Sequence, residues 1–278
     1  MIDTGYLYSK NNNRIFINTC LGCTGGCSYC YLKKMEYDNE SIVSEVKKAE
    51  ELIAQIEQLR VSKDTLITLG CFSECWDENN KSETIKLIKY FLEKGNQIQL
   101  STKREITIEE ASQFRELIQY YGQLVIFISS ATITRWDRME KGTDHPRDRF
   151  RTFKISRELP IPTVLYMKPV LKDITIEDIE LYKAIIKRCQ IRDVVVGSIF
   201  KEEDIQEESR IDFPEELKSE TVHFSDKNEL FYKPNIDQEE QIIRELCMLS
   251  NVRVVSRSSH IMGMYKRARN IDDDGRTD

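Results

Sequence analysis

Residues 20–32 read CLGCTGGCSYCYL, from Cys20 to Leu32. Three of these cysteines, Cys23, Cys27 and Cys30, follow a C-x3-C-x2-C spacing. Thiolates so spaced on one short loop can wrap a single iron–sulfur cluster. Three ligands rather than four would leave one iron of a [4Fe–4S] cluster open for chemistry. Cys20 keeps two other readings open. All four thiols could build a tetrahedral structural zinc site, as in a non-enzymatic binding protein. They could also close a four-cysteine electron-transfer cluster. Gly25 and Gly26 give the loop turns where a Cβ would clash.

Outward from this loop, short apolar runs alternate with amphipathic ones. Strands are expected at Arg14–Asn18, Thr65–Leu69, Ile98–Thr102, Leu124–Ser129, Thr163–Met167 and Asp193–Ile199, with a last one at Val252–Val255. Between them, apolar residues at three- and four-residue spacing predict helices over Ser41–Leu59, Ser82–Lys94 and Asp237–Leu249. Gly95 is a stop signal for the second of these. Thr107 with Glu110, and Thr175 with Asp178, look like helix caps, the first a capping box. The expected helices run to about Tyr120 and Cys189, and a further helix ends near Leu159. This alternation implies parallel strands with right-handed crossovers, in an open or partial (β/α) barrel or a doubly wound sheet. Either fold binds ligands at the C-terminal ends of its strands. The cysteine loop follows the first strand and so lies on that face. Residues 1–200 are expected to form the core and 201–278 a C-terminal extension packed on it.

Composition narrows the partners. The chain has 278 residues, 32% of them charged, and a net charge of −6, which argues against strong non-specific nucleic-acid binding. The charge is uneven. Glu202–Glu220 holds nine acids, and Val252–Arg269 holds five basic residues and no acid. Arg135–Arg157 interleaves six arginines with Trp136, Phe150 and Phe153. That pattern suits single-stranded or damaged nucleic acid, or else salt-bridged helix faces. No apolar run is long enough for a membrane span and the N-terminus lacks a signal-peptide core, so a cytoplasmic protein is expected. In that compartment clustered cysteines bind metal rather than form disulfides. Cys189 and Cys247, alone in apolar patterns, are expected in the core. Three histidines, no H-E-x-x-H and no P-loop leave little for histidine–metal or nucleotide-triphosphate chemistry.

The C-x3-C-x2-C run, with Tyr29 before its last cysteine, resembles the radical S-adenosylmethionine (SAM) superfamily. Within it, the spore photoproduct lyase group is similar over Arg14 to about Ile199. Its Cys-x-Ser-acid segment is matched by Cys71, Phe72, Ser73 and Glu74, with glutamate where aspartate is usual. Thr102 and Lys103 match its Thr-Lys pair, Ser129 and Ser130 its serine after the fourth strand. Glu140, Gly142, Thr143, Pro146, Arg149 and Phe150 match a Glu-x-Gly-Thr…Pro-x-x-Arg segment. The resemblance implies a partial (β/α)6 barrel. It further implies a [4Fe–4S] cluster on Cys23, Cys27 and Cys30, and reductive cleavage of SAM to a 5′-deoxyadenosyl radical that abstracts hydrogen. Ser73 and Glu74 would accept from the SAM ammonium, Lys103 would pair with its carboxylate, and Ser129 or Ser130 would hydrogen-bond its ribose or carboxylate. Gly197 would admit the adenine. Cys71, with Cys75 nearby, would donate hydrogen to the product radical. Trp76 and Trp136 are candidates to stack on a planar substrate. A reducing partner such as flavodoxin or ferredoxin is implied. The substrate is a nucleic-acid base or lesion, or else a peptide or small metabolite.

Overall fold

The computed structural model describes residues 2–3, 5–11, 13–34, 45–198, 201–202, 217–218, 231–234 and 237–274. Its centre is a nine-stranded sheet whose spatial order is its sequence order. The strands are β1 (Ile2–Asp3), β2 (Leu7–Asn11), β3 (Arg14–Ile17), β4 (Leu66–Leu69), β5 (Ile98–Thr102), β6 (Leu124–Ser129), β7 (Thr163–Val170), β8 (Asp193–Ser198) and β9 (Arg253–Val255). From β3 to β9 every neighbouring pair is parallel. The six strands β3–β8 are the partial barrel expected from the sequence. β9, from beyond residue 200, continues the sheet at one edge, and the antiparallel pair β1–β2 covers the other.

Each buried strand has two apolar faces, as expected where helices cover one side of a parallel sheet. On the outer face Ile67, Leu69, Ile98, Leu100, Ile126, Ile128, Leu165, Val194 and Val196 pack with helices α1 (Ala49–Gln58) and α2 (Lys81–Glu93), giving one continuous core. Alternation sends the intervening residues into the barrel lumen, where Val125, Phe127, Val164 and Val195 form a second cluster.

The floor of that lumen comes from the C-terminus. Much of the basic Val252–Arg269 segment lies in a helix, Ser258–Asp274, whose Ile261, Met262 and Tyr265 join the lumen cluster. Gly122 has φ of +83°, and a Cβ there would lie 2.7 Å from the Tyr265 side chain, so only glycine admits this plug. Gln97 Nε2 ties the plug down by donating to the Met262 carbonyl at 3.1 Å.

Several expectations are corrected. α1 begins at Ala49, with 45–48 extended; residues 41–44, where the sequence placed its start, lie outside the described residues. The Thr107–Glu110 capping box forms, but its helix spans only Ile108–Ser112 before a 3-10 turn. Thr175 stands at the N-cap of a 3-10 turn, Ile176–Asp178, that runs into the helix, but its side chain makes no capping bond. Its hydroxyl accepts from Leu171 N and donates to the Ala131 carbonyl, and the helix starts at Ile179. Gly95 does end α2, with φ of +84°. Cys189 is half-buried against the core but Cys247 is exposed. Most of the acidic Glu202–Glu220 segment lies outside the described residues, where Leu217–Lys218 belongs to a small three-stranded sheet.

Candidate cluster and cofactor site

The cysteine loop leaves β3 at the open end of the barrel and is held from several sides. Gly22 N donates to the Phe72 carbonyl at 3.0 Å, and Phe72 N to Asn18 Oδ1 at 2.8 Å. The Thr24 hydroxyl donates to Asp77, which Arg104 pairs at 2.6 Å. Gly26–Cys27 adds a short antiparallel pairing with Glu140–Lys141. A Cβ on Gly25 would come within 3.2 Å of Cys23 Sγ, so this glycine leaves room for the sulfur. Neither Gly25 nor Gly26 has positive φ; Gly22 and Gly142 do, so those two make the turns.

Burial is the largest influence on the ligand candidates. It pushes Cys23 up to about 12, with Glu74 adding, and Cys27 up to about 11, with Lys103 opposing. A bound cation reverses this by deprotonating coordinating thiols. Cys20 faces elsewhere: it is buried, and its sulfur accepts from Asn80 Nδ2 at 2.9 Å. Among the described residues no three Cys, His, Asp or Glu side chains surround a point that one metal ion could occupy.

Behind the loop lies a buried polar knot. Glu140 and Arg149 are fully buried and paired at 2.6 Å. Glu140 also accepts from the Tyr29 hydroxyl and from Ala131 N at 3.1 Å, with Lys103 Nζ at 3.5 Å. Arg149 Nη1 donates to the Ser129 carbonyl at 2.6 Å. Burial opposes charge on Glu140, but Lys103 and Arg149 together hold its carboxyl below the usual range. One carboxylate thus joins the cysteine loop, the Lys103 ammonium and the end of β6. Tyr29 is placed in this knot, its hydroxyl turned to Glu140.

The remaining candidates separate. Ser73 is buried, and its Oγ, close to the Cys20 thiol, makes no well-formed hydrogen bond. Glu74 accepts from the Thr102 hydroxyl, Trp76 N and Lys103 N, which uses three of a carboxylate's four lone-pair sites. It clamps the turn after β4 to the end of β5 and keeps one site free. Lys103 Nζ donates to Ser129 Oγ at the lumen mouth. Ser130 is not with them. It follows Ser129 on the opposite face, where Oγ meets Tyr182 Oη at 3.0 Å and the Thr132 carbonyl at 3.2 Å. Gly197 lies on the inner face, where a Cβ would come within 3.1 Å of the Lys168 stem.

Cys71 is half-buried among Phe72, Tyr31 and the loop cysteines Cys23 and Cys30. Burial pushes its thiol up to about 11, with Tyr31 and Arg14 pulling the other way. The Tyr31 hydroxyl donates to the Cys71 carbonyl and lies 3.8 Å from its sulfur. Cys75 is not a partner for it: this sulfur donates to the Ser101 carbonyl at 3.4 Å within the outer core. Trp76 is also core, its indole donating to Glu110, so it is no stacking platform. Trp136 stacks edge-on with His145 at 4.8 Å.

In the arginine-rich segment three of the six arginines take the salt-bridge alternative. Arg135 pairs with Glu177, Arg149 with Glu140, and Arg151 with Asp148 and Glu105. Phe150 and Phe153 are buried in the core, unavailable for base stacking.

A half-barrel of parallel strands, a three-thiol loop after its first strand and a ring of polar groups at the lumen mouth together define a cofactor-dependent α/β enzyme. Residues 17–185 match the family model for the Radical SAM superfamily, well over half the chain, and the protein belongs to that superfamily. It is a radical SAM enzyme; members typically carry a [4Fe–4S] cluster and SAM. The fold is similar to a spore photoproduct lyase variant with bound SAM and dinucleoside spore photoproduct (TM-score 0.65, 13% identity, 86% of this chain and 75% of that one). A second variant of that lyase gives a TM-score of 0.67 at 15% identity over 89% and 77%. A radical SAM methyltransferase from Kitasatospora setae with cobalamin and a [4Fe–4S] cluster gives 0.55 at 13% over 88% and 54%. A search of curated protein sequences finds no significant match. Among the described residues no helix is long and apolar enough to cross a membrane.

Proposed function

We propose that this protein holds a [4Fe–4S] cluster through Cys23, Cys27 and Cys30, binds SAM at the lumen mouth and abstracts hydrogen from a substrate in the lumen. The observation that carries this reading is the buried Ser73 hydroxyl. It lies beside the cysteine loop, close to the Cys20 thiol, and makes no well-formed hydrogen bond there. The residues fit the two groups. The free lone pair of Glu74 and the Ser73 hydroxyl suit an ammonium, Lys103 suits a carboxylate, Ser129 a hydroxyl or carboxylate, and Gly197, where the flexible Lys168 stem packs, would admit adenine once that stem moves aside. Cluster and SAM, when bound, supply radical hydrogen abstraction. The chain's part is placement and exclusion of water. The Glu140–Arg149 pair fixes Tyr29, Lys103 and the end of β6 in one frame. Cys71, neutral at physiological pH, offers its S–H hydrogen to a substrate-derived radical.

A compact substrate fits best, because the lumen is floored by the C-terminal helix and Phe150 and Phe153 of the arginine-rich segment are buried. A nucleic-acid base or lesion is the second reading, favoured by the fold likeness to a lyase with a bound dinucleoside. A flavodoxin or ferredoxin would deliver the electron, and the cytoplasm is the expected compartment. Salt-dependent binding of single-stranded DNA at low ionic strength tests the second reading: no binding there removes it. Anaerobic reconstitution with iron and sulfide tests the first. It should give the broad visible absorption of thiolate-bound iron, lost when Cys23, Cys27 and Cys30 are all replaced by alanine.

A further inference from the structure

One cation in the lumen serves neither cluster nor SAM in the arrangement above. Arg14, the first residue of β3, points inward and is half-buried. Its Nε donates to Thr68 Oγ1 at 2.8 Å, its Nη2 donates to Gln99 Oε1 at 3.0 Å, and its guanidinium lies 4.6 Å from the Phe16 ring centroid. All of these partners are neutral. Among the described residues no carboxylate lies within ion-pairing distance of it, and its Nη1 has no hydrogen-bond partner. The other acidic groups that feel its charge are the Cys71 thiol and the Tyr166 phenol. A desolvated guanidinium without a counter-charge is costly, and such groups are retained where a ligand supplies the missing charge.

Its surroundings narrow that ligand. The charge is single, the neighbouring wall of Val125 and Phe127 is apolar, and the lumen ends at Ile261 and Met262. A chain passing through would need a second exit, so the anion must terminate the molecule that carries it. A terminal phosphate would bring up to two charges against one guanidinium. A carboxylate brings one, and matches a guanidinium in charge and geometry.

Resting on the radical SAM reading, we propose that Arg14 is a substrate-recognition residue: it binds the terminal carboxylate of a compact organic acid that enters the lumen, facing Cys71. The site selects carboxylate-ended substrates and orients them by that end.

Benzoate serves as probe, with dimethyl phosphate and sodium chloride at equal ionic strength as controls, titrated calorimetrically into the full-length reconstituted chain. Benzoate should bind saturably, and Arg14→Gln should weaken it by about tenfold or more, the scale of a lost charge-assisted hydrogen bond. Benzoate binding that is absent, matched by chloride, or unchanged in the variant overturns the proposal. Preference for dimethyl phosphate also overturns it, in favour of a phosphodiester. Should Arg14→Gln fail to fold, wild-type crystals with 4-bromobenzoate decide: the carboxylate should lie within hydrogen-bond distance of Nη1, and bromine density elsewhere or nowhere refutes it. Visible absorption and deoxyadenosine release by the wild type are scored separately. Loss of those with benzoate binding intact faults the radical SAM reading alone; the reverse faults the Arg14 assignment alone.

Discussion

At the scale of single residues, Cys71 carries the most specific chemistry. Its thiol is pushed up to about 11 chiefly by burial, so it stays protonated across the physiological range. An S–H that persists is what hydrogen donation requires, and it makes the sulfur a poor nucleophile. In the reconstituted enzyme Cys71 should react with iodoacetamide at pH 8 at least about tenfold more slowly than exposed Cys247, as its thiolate fraction falls tenfold per unit of pKa. Site-resolved mass spectrometry measures both rates, and equal rates would remove the protonated-donor argument. With a substrate that stimulates SAM cleavage, Cys71→Ala should still release deoxyadenosine but give a different product. An unchanged product by chromatography would exclude Cys71 as donor. The cluster thiols make a separate prediction. Cys23 and Cys27 titrate higher in the folded chain than the ordinary value of 9.0. The unfolded chain therefore loses these protons first as pH rises. Stability present below about pH 9 should decline through pH 11 in the cluster-free protein. Urea midpoints at pH 8 and pH 10.5 check this; an unchanged midpoint contradicts the burial described for the loop.

At the scale of elements, the strands were legible because apolar runs and alternation set them directly, and the thiol spacing singled out the loop after the first one. What escaped has physical reasons. Ser129 and Ser130 looked equivalent, yet a strand turns adjacent side chains to opposite faces. Counting from inward Val125 and Phe127 would have placed Ser129 inside and Ser130 outside. The C-terminal helix was hidden because Ile261, Met262 and Tyr265 are few among arginines and lysines, and because its partner is the bottom of a lumen formed by distant strands. The Glu140–Arg149 knot was present as motif letters, but its role depends on Tyr29 and Lys103 arriving from two other segments. Glu140→Ala would leave the Arg149 guanidinium buried and unpaired, at a cost of about 3–5 kcal/mol. A urea-denaturation midpoint checks this, and a loss below about 1 kcal/mol would mean the knot is not the frame of the site.

At the scale of the whole molecule, the partial barrel has an open side that two peripheral elements manage. β1–β2 covers the first edge, while β9 and the C-terminal helix extend the second edge and floor the lumen. Ile261 and Met262 each contribute roughly 1.5–3 kcal/mol by burial. Ending the chain at Ser256 should expose Val125, Phe127 and Val164 and raise binding of an apolar fluorescent dye. Unchanged dye binding would contradict the plug. The cysteine loop, Ser73, Glu74, Lys103 and Ser129 meet at the end of the lumen opposite this floor, where the strands have their C-terminal ends. This convergence supports an open-iron cluster with SAM beside it. The most direct test is deoxyadenosine release by the anaerobically reconstituted, dithionite-reduced full-length chain supplied with SAM. The account predicts deoxyadenosine with methionine from the wild type, and none from Cys23→Ala, Cys27→Ala or Cys30→Ala. A cluster-loaded wild type that releases none, or equal release without the three cysteines, would contradict it.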